Sequence, residues 1–300
     1  MIKIVGIGAN VHDTLINLTE YPSEDTKMRA LSQKSCGGGP CATGLVAASK
    51  LGASAAYIGD VAAGGSGDFL ISDFEKFGVS TALMGKKEGY TQFTSYVMLS
   101  AKTTSRTIVF DKGDMPGTEM TEERLRAVRE AEILMVDGND LDAAVIAAKE
   151  ARAAGTKVLY DAGGRYEGIE RLLPLADILV PSEEFALGIT GKETAEEAAK
   201  ALYEMYTPEI VIITRGIRGG VGYNGKEEFS YSAFPVEAVD SNGAGDVFHG
   251  ALAFALTMNY NYYDACVFSS AVSALKCTKV GARDGVPSYD ETLKFLKERL

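Results

Sequence analysis

The chain is short of positive charge. Thirty lysines and arginines stand against 41 aspartates and glutamates, for a formal charge of −11. Nucleic acid and anionic membranes, as standing partners, both need a basic face, so neither is expected. The deficit does not argue against a nucleotide, which backbone N–H groups and a metal ion hold locally. Cysteine is scarce too: Cys36, Cys41, Cys266 and Cys277 form no C-x-x-C pair and no Cys/His cluster with zinc spacing. Reduced thiols fit a cytoplasmic protein. No apolar run is long enough to cross a bilayer. Met1-Ile2-Lys3-Ile4-Val5-Gly6 reads as a strand opening, not a signal peptide. Gly6-x-Gly8-x-Asn10 is not a dinucleotide fingerprint, which counts against an NAD-type oxidoreductase.

What is present is a normal globular composition. Three hundred residues, 46% of them apolar, can bury one substantial core. Strand-like runs at 2–7, 55–58, 133–136, 157–160, 178–180 and 209–214 alternate with helical runs such as 41–52, 68–77 and 141–154. That alternation predicts an α/β fold, a parallel sheet with helices on both faces. Residues 15–18, 28–32, 91–100 and 106–110 are further β-rich pieces, the last two joined by polar 102–105 as a hairpin. Thr194-x-x-Glu197 predicts a capping box opening a helix to Tyr206, and Asn224-Gly225 a type I′ turn.

The chain is organised around Asp240-Ser241-Asn242-Gly243-Ala244-Gly245-Asp246, which runs into the almost wholly apolar Val247 to Leu256. A helix apolar on every side is buried. Its first turn still carries bare N–H groups and the positive end of the helix dipole. Gly243 and Gly245, without Cβ atoms, let backbone approach a ligand closely. The result is a seat for phosphate oxygens. A carboxylate there, Asp246, either caps the helix or takes a proton from an attacking hydroxyl. Asp13 follows the first strand, Asp137 follows the strand at 133–136, and Gly38 and Gly39 sit in a bare turn. All four stand where open α/β sheets place ligands. Lys27 is either a solvated turn lysine or a contact for an anionic group.

Asp240 to Asp246 resembles the C-terminal signature of the ribokinase-type carbohydrate kinases, the PfkB family. Gly37-Gly38-Gly39-Pro40 is similar to that family's first signature, and 274–282 with Val286-Pro287 to its C-terminal segment. The resemblance implies a ribokinase-like three-layer α/β/α domain (1–12, 37–88 and 113–300) with a small β-sheet lid (13–36 and 89–112). It implies transfer of the γ-phosphate of MgATP to a primary hydroxyl of a sugar, with Asp246 as base, Gly243 in the same catalytic turn, and the amides of Ala244, Gly245 and Asp246 as the oxyanion seat. Substrate contacts would be Asp13, Lys27, Gly38, Gly39, Asp137 and Asn139. Nucleotide contacts would be Thr214, Gly216, Gly219, Gly243, Gly245, Ser270 and Cys277. The family's Asn-x-x-Glu motif near Mg²⁺ lacks its terminal Glu here, where Ser182-Glu183-Glu184-Phe185 stands, so Glu183 or Glu184 would act on the metal through water. K⁺ would sit near Asp240, Asn242 and Gly281, and a homodimer would form through the lid. The wording Gly-Gly-Gly-Pro-x-Ala-Thr, with Gly245 to Leu252 and Lys27, looks like the sulfofructose kinase branch. That branch has an arginine after the strand at 133–137, where this chain has Asp137-Gly138-Asn139-Asp140. Rival readings are a nucleoside kinase of the same fold and a sugar or nucleotide sensor without catalysis.

Overall fold

The structure, a computed structural model, describes residues 2–103 and 105–300. Met1, read as the start of a strand, and Thr104, read in the hairpin turn, lie outside the described residues. In chain order the elements are β1 (Ile4–Ile7), β2 (Val11–Leu18), β3 (Ser32–Gly38), α1 (Pro40–Leu51), β4 (Ala55–Tyr57), β5 (Gly59–Ala62), α2 (Gly65–Lys76), β6 (Met84–Lys87), β7 (Thr94–Ser100) and β8 (Ser105–Asp111). The second half is α3 (Glu122–Glu130), β9 (Ile133–Val136), α4 (Leu141–Ala154), β10 (Lys157–Ala162), β11 (Ile178–Pro181), α5 (Glu183–Thr190), α6 (Ala195–Tyr206), β12 (Ile210–Thr214), β13 (Gly220–Tyr223), β14 (Glu228–Tyr231), α7 (Ala244–Thr257), α8 (Tyr262–Cys277) and α9 (Tyr289–Lys297).

The large sheet runs β14-β13-β12-β11-β10-β9-β1-β4. It is parallel from β4 to β12 and antiparallel at β13 and β14. Its central strands are apolar on both sides because helices cover both faces. One core, holding Leu45, Met135, Val180 and Phe254, lies under α1, α7 and α8. The other, holding Val5, Leu134, Tyr160 and Phe185, lies on the opposite face. A separate four-stranded sheet, β3-β2-β7-β8, stands beside the first, and β5 pairs with β6 alone. Among the described residues no helix is long and apolar enough to cross a membrane.

Two local expectations are corrected. The strand expected at 28–32 lies instead at Ser32–Gly38, whose first four residues are exposed. A strand wet on both faces carries no apolar alternation to read. The hairpin after β13 is real, but Asn224 is not in the left-handed region that a type I′ turn requires. Its Oδ1 accepts from the N–H groups of Lys226 and Glu227, which closes a four-residue loop instead. Thr194 caps α6 by accepting from Glu197 N. The Glu197 carboxylate meets the Thr194 hydroxyl rather than its backbone, so the box is half made.

Candidate active site

The C-terminal ends of the parallel strands open toward the small sheet, and a cavity of about 290 Å³ lies between them. Its walls come from the small sheet (Asp13, Ser95, Arg106), from the turn before α1 (Gly38, Gly39) and from the tip of α7 (Gly243, Asp246). Residues more than 230 positions apart in sequence thus share one space. Ser95 Oγ donates to Asp13 Oδ1 at 2.6 Å. Burial pushes the Asp13 carboxyl up, while Ser95 and the Arg283 charge oppose it. Arg283, buried, ties α2 to the end of β3: it pairs with Asp73 at 2.6 Å and donates to the Gly38 carbonyl at 2.7 Å.

The tip of α7 has the expected form. Gly243, the cap residue, has φ +73°, and a Cβ there would sit 2.7 Å from the Ala282 side chain. A Cβ at Gly245 would meet nothing within 4 Å, so the space over the first turn is open. Ala244 N is already used, donating to Ser241 O at 3.2 Å. That removes it from the expected seat and leaves the amides of Gly245 and Asp246, the first-turn donors that a helix cannot satisfy itself.

Asp246 does not stand alone. Its carboxyl is raised to about 7, first by burial and then by the charge of Asp161; His249 and Arg106 pull the other way. Asp161, at the end of β10, is raised to about 8 by burial and by Asp137. The two belong to one interacting group, so these are apparent values of the pair. His249, one turn into α7, meets Asp161 and its charge acts on Asp246. Its Nδ1 is 2.7 Å from Gly245 O and 3.2 Å from Asp161 Oδ2, and its Nε2 is 3.1 Å from Val180 O.

Several expected contacts are placed elsewhere. Lys27 is exposed in the segment between β2 and β3 and does not line the cavity. Asp137 is buried and its oxygens are spent: Oδ2 accepts from Ala9 N at 2.9 Å and Cys41 N at 3.0 Å, and Oδ1 from Asn139 N at 2.9 Å. It fastens the end of β9 to the loop after β1 and to the first turn of α1. Asn139 is tied to it through Nδ2 at 3.2 Å. Ser270 donates its hydroxyl inward to Ser232 O at 3.0 Å. The Cys277 thiol is half-buried and pushed up by burial, and the Cys277 carbonyl holds the amides of Val239 and Asp240. Glu183 forms an ion pair with Arg218, so its carboxylate is engaged. Thr214, Gly216 and Gly219 do form a tight turn at the end of β12, closed by Arg215 N to Gly219 O at 2.7 Å.

Near Asp240 and Asn242, where K⁺ was expected, the two carbonyls receive the ammonium of Lys276 instead. The Asp240 carboxylate binds backbone: Oδ1 accepts from Asn242 N and Oδ2 from Gly281 N, both at 2.8 Å.

Sequence reasoning missed Arg106, although a signal existed. Alternation along β8 puts Arg106, Ile108 and Phe110 on one face, and all three line the cavity. It also gave no role to Thr43, which lines the cavity and whose buried hydroxyl has no partner among the described residues. Asp161 and His249 had no local signal, since only the fold brings them together.

A helix tip with bare amides, a carboxylate in its first turn and a second carboxylate across a small cavity is a layout that suits an α/β phosphotransferase acting on a small polyhydroxylated molecule. The sequence model of the pfkB family carbohydrate kinases matches residues 1–288, and the chain belongs to that family. It is 28% identical to a ribokinase of Haemophilus influenzae over 97% of each chain. Its fold matches the ribokinase of Thermotoga maritima with a TM-score of 0.86 at 25% identity, covering 99% of this chain and 100% of that one. It also matches Arabidopsis thaliana ribokinase complexed with ribose and ATP, with a TM-score of 0.88 at 24% identity over 99% of each.

Proposed function

We propose that the protein transfers the γ-phosphate of MgATP to a primary hydroxyl of a sugar or sugar-like molecule, with Asp246 as general base. The observation that carries this is the position of Asp246. It lies at the first turn of α7, beside the two free amides, on the wall of the cavity that also holds Asp13, Gly38 and Gly39. The acceptor hydroxyl gives its proton to Asp246 as its oxygen bonds to the γ-phosphorus. The bond from that phosphorus to the bridging oxygen breaks, and ADP leaves with the electron pair. The Gly245 and Asp246 amides hold charge on the transferring group. The turn at Thr214, Gly216 and Gly219 supports the nucleotide. Among the described residues no three metal-ligating side chains gather, so Mg²⁺ would enter on the phosphates and neutralise charge between them.

The cavity is at the small end of ligand sites, which favours a monosaccharide-sized acceptor. Arg106 on its wall favours an acceptor with an acidic group. A sulfo-sugar in particular has less support: Lys27 is away from the cavity, and Asp137-Gly138-Asn139-Asp140 holds no arginine. A nucleoside is the second reading, favoured by Phe93 and Phe110, whose rings meet at 5.9 Å on the same wall. Four free cysteines support a cytoplasmic setting. The exposed lid sheet supports a homodimer through that face.

The test is ADP release with a panel of hexoses, ketoses, polyols, sugar acids, sulfo-sugars and nucleosides. Asp246→Asn is expected to keep the fold and ADP binding and to lose about a hundredfold or more in turnover. Turnover near wild type in that variant removes Asp246 from the base role.

A further inference from the structure

Lys276 belongs to the last turn of α8, and its side chain is completely buried. A buried ammonium persists only where oxygens replace its water. Here they do. Nζ donates to Asp240 O at 2.7 Å and to Asn242 O, and lies 3.8 Å from Asp240 Oδ1. Each of these oxygens belongs to the loop that leads into Gly243 and the tip of α7. An ammonium carries one positive charge, is close to K⁺ in size and is satisfied by the same oxygen donors. A free ion entering this loop would have to share two of its carbonyls with a fixed like charge, so the residues present do not fit K⁺.

We propose that Lys276 is a tethered monovalent cation. Its ammonium takes the place of a free ion beneath residues 240–243 and fixes the height of the anion seat, so the protein needs no K⁺. Lys276 is a positioning residue, since it touches the loop and not the phosphates. The inference concerns the loop and stands whichever acceptor is phosphorylated.

Thermal melting and ADP binding of the whole protein test it, in chloride salts of K⁺, NH₄⁺ and tetramethylammonium at equal ionic strength. The wild type is expected to melt at one temperature and bind ADP with one affinity in all three. Lys276→Ala, which opens room for an ion, is expected to bind ADP at least about tenfold more weakly in tetramethylammonium. K⁺ or NH₄⁺ should restore most of that loss, while Lys276→Met, which fills the space with an uncharged chain, should lose affinity without rescue. Melting or ADP affinity of the wild type that rises with K⁺ overturns the proposal. So does a Lys276→Ala variant that binds normally in tetramethylammonium, or one that no cation restores. If Lys276→Ala does not fold, the wild-type comparison decides alone.

Discussion

Asp246 faces two opposed demands. The proposed role of base requires it ionised, yet burial and the neighbouring Asp161 favour its proton. With an apparent value of about 7, kcat/KM is expected to rise with pH through about 7 and then level off. Asp161→Asn, by removing the like charge, should move that rise to lower pH. A pH–rate profile of the two proteins checks both. The same shift has a consequence for stability. The folded value lies above the unfolded reference of 3.8, so the fold binds the proton more tightly. That contribution is complete below about 4 and is lost as pH rises through about 7. Asp246→Asn, neutral throughout, is therefore expected to melt higher than wild type at pH 8, by about 2 °C or more, and no higher at pH 4. Melting curves at the two pH values read the difference. His249 meets acceptors at both ring nitrogens, two carbonyls and the Asp161 carboxylate, an arrangement that no window of sequence reveals.

At the scale of elements, the helix that carries Asp246 is set by backbone contact with α1. A Cβ on Gly250 would lie 2.0 Å from the Gly44 carbonyl oxygen, so the two helices touch main chain to main chain. Neighbouring helices seldom come so close, and only glycine allows it. Gly250→Ala should force them apart, costing about 1–3 kcal/mol in denaturant unfolding and lowering turnover, because the tip of α7 moves with the helix. Elements whose apolar pattern matched their burial were legible. The limits of α4 and β9 agree with the sequence reading, and α7 was recognised as buried from its composition. The exposed β3 was not legible, since its residues satisfy themselves in water and leave no period.

At the scale of the molecule, the small sheet has one face on the cavity and another in solvent. Val109 and Tyr96 stand opposite each other in register and are 56% and 52% exposed, while Phe110 and Ile108 alternate with them and line the cavity. β8 is an edge strand, exposed along its whole length, and such edges invite pairing. If two copies join there, the protein elutes in sizing chromatography near twice its 31.9 kDa, and Val109→Asp returns it to one copy with the cavity wall intact. The sequence by itself determined the α/β class, the glycine-rich tip of α7 and the position of its carboxylate, because these depend on local composition and on residues adjacent in the chain. Only the tertiary structure decided which acids are free. Asp13 keeps its place on the cavity while Asp137 is consumed by backbone amides, and Lys276 fills the oxygens expected for an ion. A side chain's task depends on the partners it meets across the fold, and those partners lie tens to hundreds of residues away.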